Sequence, residues 1–243
     1  MKMISFSIRT LKEILRDPLT LFFGLGFPGI LIILLSAIQA NIPVNLFEIN
    51  TLAPGMTVFG LSFMTLFSAT IVAKDRESAF LYRLYATPMK SFDFILGYTL
   101  PLIPISIAQS IFCFAIGTFF GLTITVNIIY SIIFIIPISL FFVGLGLLFG
   151  SFLSQKQAGG LCGSLMTNLT AWLSGIWFDL DLVGGVFKSI AEVLPFYHAV
   201  KLEQAAFSGN FNGILPHFLI VMAYALFSII FAVLVFIKQM RKL

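Results

Sequence analysis

Charge is what this chain has least of. Its 243 residues include 14 basic and 10 acidic side chains, 10% in all, against 59% hydrophobic residues and a mean hydropathy of +1.07. A soluble domain is about a quarter charged, and no water-exposed fold hides this much apolar surface, so the expected solvent is a bilayer. Cysteine is nearly absent. Cys113 and Cys162 both lie inside apolar runs, where they read as small packing residues rather than a redox pair, and a disulfide framework is excluded. Only two histidines occur, His198 and His217. There is no HExxH, no cysteine pair at zinc spacing and no GxSxG elbow, which removes the usual metal and nucleophile chemistries; His198 in "PFYHAV" reads as a packing residue rather than a ligand. The central apolar runs contain no charge, the usual mark of an ion pathway, so an ion-coupled carrier is disfavoured. A phosphate-binding GxxxxGK[ST] is missing too, since none of the nine lysines follows a glycine. The net charge of +4 gives no reason to expect nucleic acid.

What is present is a series of long apolar runs. Six of them, near Leu19–Gln39, Pro54–Ala73, Gly97–Gly121, Ile128–Ser151, Ala158–Phe178 and Ile214–Ile237, approach the roughly 20 residues a spanning helix needs. Without water in the hydrocarbon each must satisfy its own backbone, so each is expected to be helical. The third and fourth are joined by Leu122 to Asn127 alone, a tight hairpin. The expected fold is an all-α polytopic membrane protein with six spans, an N-terminal interfacial amphipathic helix and short outer re-entrant helices. Its parts are a connecting helix over 1–17 and a transmembrane domain over 18–243, with a charged hairpin at 74–93 and outer helices at 179–213.

Lysine and arginine set the expected topology. With six spans, twelve of them fall on the side of both termini, and only Lys188 and Lys201 on the other. Positive residues mark the cytoplasmic side, so both termini are expected there. The apolar run after Pro18 exceeds a signal-peptide core and lacks a cleavage site, so it reads as a retained span. Ahead of it, Ile4, Ile8, Leu11 and Leu15 form one helical stripe, with Arg9, Lys12 and Arg16 on the far side. This pattern fits a helix in the membrane interface, as a working part or as a mere anchor. Asp17 and Pro18 form a cap and first turn that start the next helix. Pairs of glycines four apart (Gly117/Gly121, Gly146/Gly150, Gly159/Gly163) suit close helix packing.

The densest charge lies in "VAKDRESAFLYRLYATPMKSFD", residues 72–93, which holds Lys74, Asp75, Arg76, Glu77, Arg83, Lys90 and Asp93. No breaker stands at Ala73, so the preceding helix is expected to continue out of the membrane. Pro88 would stop it and Ser91 would cap the next helix. An ordinary positive loop accounts for the basic residues; a docking element for a soluble partner also accounts for the acidic ones and for the apolar face of Phe80, Leu81 and Leu84.

This stretch, with Asp-Arg-Glu, "LYRLYATP" and "FILG", resembles the first cytoplasmic loop of the ABC-2 type permeases, the membrane subunits of ATP-binding-cassette exporters. "LRDPLTLFFGLGFPGILIILL" is similar to that family's opening, and "LPFYHAVKLEQAAFSGNFNGIL" to its outer segment before the last span. Two departures stand out: Lys201 and Glu203 occupy places where an arginine is usual, and no glycine follows Glu77. The resemblance implies a permease subunit of an ATP-driven exporter, not itself an enzyme, in the plasma membrane. It would pair with a second permease copy, identical or homologous, over two cytoplasmic ATPase subunits that bind ATP and magnesium. Asp75, Arg76, Glu77, Arg83, Pro88 and Ser91 would then meet the ATPase, Arg9, Lys12 and Arg16 would belong to the connecting helix, and Pro195, Phe196 and Tyr197 to an outer gate. The expected cargo is amphiphilic: a drug, a lipid-like molecule or an antimicrobial peptide. A glycan exporter, a non-transporting immunity or scaffold protein and a polytopic enzyme remain as alternatives, the last weakened by the missing polar cluster.

Polar residues inside the runs (Gln109, Thr118, Asn168, Thr170) fit either a cavity lining or bridges between helices. The stretch 179–213 reads as two amphipathic segments divided at Pro195, either a lid dipping into the membrane or a surface closure of the bundle.

Overall fold

The computed structural model describes residues 2–78, 80 and 91–240, and every regular element among them is a helix. Helix α1 (Lys2–Leu15) ends just before Asp17, which caps α2 (Pro18–Leu21). Asp17 accepts from the Leu19 N–H at 3.1 Å and the Thr20 hydroxyl at 2.8 Å, and Pro18 sits where a missing N–H costs nothing. The chain continues through a π-helical stretch, Phe22–Gly26, into α3 (Phe27–Gln39). There follow α4 (Ile49–Glu77), α5 (Ser91–Thr99), α6 (Leu102–Thr118) and α7 (Asn127–Phe152). Next come α8 (Gln155–Gly160), a second π stretch (Leu161–Met166) and α9 (Thr167–Leu173). Three shorter helices, α10 (Leu180–Val183), α11 (Gly185–Val193) and α12 (Pro195–Ser208), lead to the long α13 (Phe211–Met240).

Five stretches among the described residues are long and apolar enough to cross a membrane: Pro18–Gln39, Ile49–Glu77, Phe92–Thr118, Asn127–Phe152 and Phe211–Lys238. The run expected near Ala158–Phe178 is not one of them. Its chain runs beside α4, but as α8, a π stretch and α9, ending at Leu173. Gly159, Gly160, Gly163, Thr167 and Asn168 dilute both its hydropathy and its helix propensity. Asn168 also turns its amide back onto the Ser164 carbonyl at 2.8 Å.

The bundle is built around α4, which is 83% buried over its apolar window, whereas Pro18–Gln39 and α13 bury only 28% of theirs. The tightest seam joins α4 to α7. At Gly150 a side chain would begin 2.6 Å from the Ala69 carbonyl oxygen, so only glycine lets the backbones meet. The glycine pair at 146 and 150 is thus spent inside the chain. Beside it the Thr65 hydroxyl donates to the Phe142 carbonyl at 2.9 Å. Such bonds contribute about 0.6–2 kcal/mol each in a membrane. Gly121, by contrast, ends its helix at φ +87° with open space around it, so Gly117 and Gly121 form no packing seam.

The polar residues singled out inside the runs make their hydrogen bonds within their own helices rather than between helices. Thr118 bonds the Ala115 carbonyl, Thr170 the Met166 carbonyl and Gln109 the Cys113 sulfur, each within its own helix. Both cysteines are buried and unpaired.

Candidate functional site

The bundle has a basic end, which gathers α1, the C-termini of α4 and α7 and the start of α5. Helix α1 lies here by inserting Phe6, Thr10 and Ile14, all buried, while Ile4, Ile8 and Leu15 of the expected stripe stay exposed. Phe6 packs edge-on against Tyr98 (4.8 Å between centroids) and Phe94 (6.2 Å). It reaches them across Gly97, where a side chain would stand 2.7 Å from the Phe6 Cε1 atom. The helix therefore has two apolar faces, one used by the bundle and one left open.

Charge completes the junction. The Arg9 guanidinium donates to both oxygens of Asp75, Nη1 to Oδ2 at 2.5 Å and Nη2 to Oδ1 at 2.9 Å. The Tyr98 hydroxyl donates to Asp75 Oδ2 at 2.9 Å. Asp75 is 2% exposed, so one buried carboxylate ties α1, α4 and α5 together. Arg9 also pairs with Glu13 at 2.9 Å and lies 4.3 Å from the centre of the Phe80 ring. Lys74 reaches Glu13 at 2.7 Å. Burial opposes the Arg9 cation, yet the hydrogen bond and charge of Asp75, with Glu13 and Tyr98 assisting, hold it above its ordinary pKa.

The next two residues of α4 turn the other way. Arg76 donates through Nη2 to the Leu153 carbonyl at the end of α7, and Glu77 accepts from the Gln155 N–H at 3.0 Å, in the first turn of α8. They clamp the α7–α8 turn, a partner that the sequence reading did not foresee. The expected continuation of α4 past Ala73 reaches only to Glu77. Ser78 adopts an extended backbone (φ −84°, ψ 157°), its hydroxyl donates to the Asp75 carbonyl at 3.0 Å, and the same oxygen accepts from the Phe80 N–H at 3.4 Å. Serine offers the backbone this alternative and so ends helices. Arg83 and Pro88 lie outside the described residues. Ser91 opens α5, with Asp93 in its first turn. Lys12 and Arg16 are exposed and line, with Phe67, Ile71 and Lys74, a cleft of about 860 Å³ between α1 and α4.

At the far end α10, α11 and α12 cap the bundle. Pro195 starts α12, Phe196 is buried against Phe141 and Phe142, and Tyr197 presents its ring to His198 and His217. Burial pushes the Tyr197 hydroxyl above its usual pKa, with Glu192 and Asp181 adding to it. The two histidines, 19 residues apart, face each other with Nδ1 atoms 2.8 Å apart, and His198 Nε2 lies 2.7 Å from the Glu192 carbonyl. A carbonyl only accepts, so His198 carries a proton on Nε2, and a further proton bridges the two Nδ1 atoms. This link joins α12 to α13. Glu203, on the inner face of α12, is fully buried, and neither carboxyl oxygen has a hydrogen-bond partner. Burial holds it well above the usual carboxylate range; the Ser131 hydroxyl opposes this slightly, without reaching bonding geometry. Among the described residues no three His, Cys, Asp or Glu side chains gather as metal ligands would.

An all-helical bundle with a helix laced across its basic end is the setting in which sequence comparison becomes decisive. Residues 2–208 match the model of the ABC-2 type transporter. The chain belongs to the ABC-2 type transporter family. Members of this family are membrane transport subunits rather than catalysts, so this is a multi-pass membrane protein. It is similar to the ycf38 transport permease of Pyropia yezoensis, 33% identical over 119 residues, which are 46% of this chain and 41% of the relative. It also resembles ycf38 of Porphyra purpurea, 36% identical over 88 residues, 34% of this chain and 30% of that one. The chain thus spans less than half the length of either curated relative.

Proposed function

We propose that this chain is the transmembrane permease subunit of an ATP-driven exporter that moves an amphiphilic molecule outward. The observation that carries the reading is the Arg9–Asp75–Tyr98 junction, a buried charged knot fastening a peripheral helix to two bundle helices in an ABC-2 family member. Lipid gives no reason to bury a carboxylate at a helix end. A lever that must transmit movement without slipping does.

In this reading the basic end faces the cytoplasm, following the lysine and arginine bias, and both termini lie there. The segment 155–173, helical throughout but interrupted by a π stretch, serves as a sixth, irregular crossing. A separate pair of ATPase chains supplies the engine, binding ATP and magnesium. Their closure pushes on the α4–α5 junction, and the Arg9–Asp75 pair makes α1 move with α4. Arg76 and Glu77 extend the push to the α7–α8 turn. The weakly buried faces of α3 and α13, carrying Ile30, Ile33, Leu219 and Phe227 among others, serve for lipid and for a second permease copy. At the outer end, Pro195, Phe196 and Tyr197 form the base of a closure that parts when α12 shifts. The apolar walls of the cytoplasmic cleft and its cationic rim suit a cargo with a greasy body and an anionic head.

The test is isolation in mild detergent from native membranes. A complex of two copies of this chain with two copies of a P-loop ATPase is expected by native mass spectrometry. A lone subunit supporting ATP-independent transport would overturn the reading.

A further inference from the structure

A second cavity, of about 490 Å³, opens at the far end between the first turn of α4, the α6–α7 loop, α12 and the start of α13. Ten of its thirteen lining residues are polar and none is a carboxylate, in a chain that is 59% hydrophobic. Its walls are fixed in place. Asn50 Oδ1 accepts from both the N–H and the hydroxyl of Thr123, at 3.2 and 3.1 Å, and Gln204 Nε2 donates to the Thr51 carbonyl at 3.1 Å. The cation of the cavity is Lys201, its ammonium 5.5 Å from the centre of the Tyr197 ring. No acidic side chain among the described residues stands within ion-pair distance of it. The carboxylates of the neighbouring elements lie elsewhere: Asp181 and Glu192 pair with Lys188, at 2.5 and 3.6 Å, Asp179 accepts from the Asp181 N–H at 3.0 Å, Glu48 lines a separate cavity and Glu203 is buried in the core.

An ammonium without an ion-pair partner, beside amides and hydroxyls in a lining that holds no carboxylate, selects for an oxyanion that carries hydroxyl groups. We propose that this cavity binds a small hydroxylated phosphate ester, of which glycerol 3-phosphate is the simplest probe. Lys201 takes the phosphate, and Asn127 and Asn210 take the hydroxyls. A free metabolite and the headgroup of a phosphoglycerol lipid share this chemistry. The inference stands whether or not the chain exports anything, since it concerns recognition at the far end alone.

The experiment titrates purified protein, in detergent free of anionic lipid, with glycerol 3-phosphate, glycerol and inorganic phosphate by calorimetry. It is repeated in nanodiscs of phosphatidylcholine with and without phosphatidylglycerol. Glycerol 3-phosphate is expected to bind more tightly than either fragment. Loss of one charge-assisted hydrogen bond in Lys201→Ala should weaken it about tenfold or more, and Lys201→Arg should retain it. Asn210→Ala should reduce the preference for glycerol 3-phosphate over inorganic phosphate, which keeps the test decisive if Lys201→Ala fails to fold. Phosphatidylglycerol that abolishes the titration identifies a lipid headgroup as the natural occupant; an unchanged titration identifies a free ester. Absence of binding by every probe would overturn the proposal. So would equal affinity in wild type, Lys201→Ala and Asn210→Ala.

Discussion

Removing Arg9 and removing Asp75 should not cost the same, although the two share one ion pair. Arg9→Ala leaves a carboxylate that is 2% exposed with only the Tyr98 hydroxyl to face it. Truncating one partner of such a buried, hydrogen-bonded pair costs about 2–5 kcal/mol. Asp75→Ala leaves a guanidinium that is 36% exposed and still has Glu13 at 2.9 Å, so the cation finds water and a second carboxylate. What that variant does remove is the acceptor that the Tyr98 hydroxyl meets at 2.9 Å, a loss of about 0.5–1.5 kcal/mol. The double variant removes both charges and should cost less than the two single variants together, by about 1–3 kcal/mol. An exposed pair would give about 0.2–1 kcal/mol at most. Denaturant unfolding in nanodiscs measures the four stabilities, and hydrogen exchange across residues 2–15 reports whether α1 has come loose. Costs that add to within about 0.5 kcal/mol, or equal protection of α1 in all four proteins, would refute the argument that this pair fastens the helix.

The α4–α7 seam predicts that Gly150→Leu, forced against the Ala69 carbonyl, lowers stability by about 1–3 kcal/mol or more; Gly160→Ala, whose methyl meets nothing within 4 Å, serves as the control in the same thermal melts. Glu203 has its folded pKa raised, so wild-type stability is greatest below the ordinary glutamate value of 4.5 and declines as pH rises from there towards the folded value. Glu203→Gln should therefore melt increasingly above wild type as pH rises through that window, whereas parallel curves would mean the carboxyl is hydrated or paired. Reversing Lys12 and Arg16 to glutamate should weaken binding of α1 to anionic lipid by about 1 kcal/mol per charge, read as greater labelling of a cysteine placed at Ile8; unchanged labelling in anionic and neutral nanodiscs would show that these charges do not touch lipid.

Features fixed by neighbours in the chain were legible in the sequence. Asp17 and Pro18 start α2 as a local cap would, Pro195 divides α11 from α12, and the apolar runs became helices because lipid leaves no other choice. Ser78 was legible in principle, because a serine after a charged turn can cap, but its effect depends on which carbonyl its hydroxyl finds. The pairing of Arg9 with Asp75 bridges 66 residues; both were named for their charge, yet nothing in either segment says that they meet. Arg76 and Glu77 were read as meeting the ATPase, and the α7–α8 turn that receives them was invisible because its acceptor and donor, the Leu153 carbonyl and the Gln155 N–H, are backbone groups. The fifth run misled for a related reason. Its glycines and Asn168 dilute its hydropathy, although the chain stays helical, with a π stretch, from Gln155 to Leu173 beside α4. The histidine contact and the buried Glu203 arise from how α12 rolls onto α7 and α13, a tertiary choice that a spacing of 19 residues does not encode.

The central claim is that the charged knot makes nucleotide-driven movement and transport one event. Asp75→Asn tests it most directly, since the amide keeps the size and an acceptor for Tyr98 while removing the charge that holds Arg9. In proteoliposomes containing the proposed complex with an ATPase, the quantity to measure is molecules of fluorescent amphiphile exported per ATP hydrolysed. Loss of the ion pair should cut that ratio about tenfold, equivalent to about 1.4 kcal/mol, while hydrolysis itself continues. A ratio equal to wild type, with α1 released from the bundle, would contradict the account.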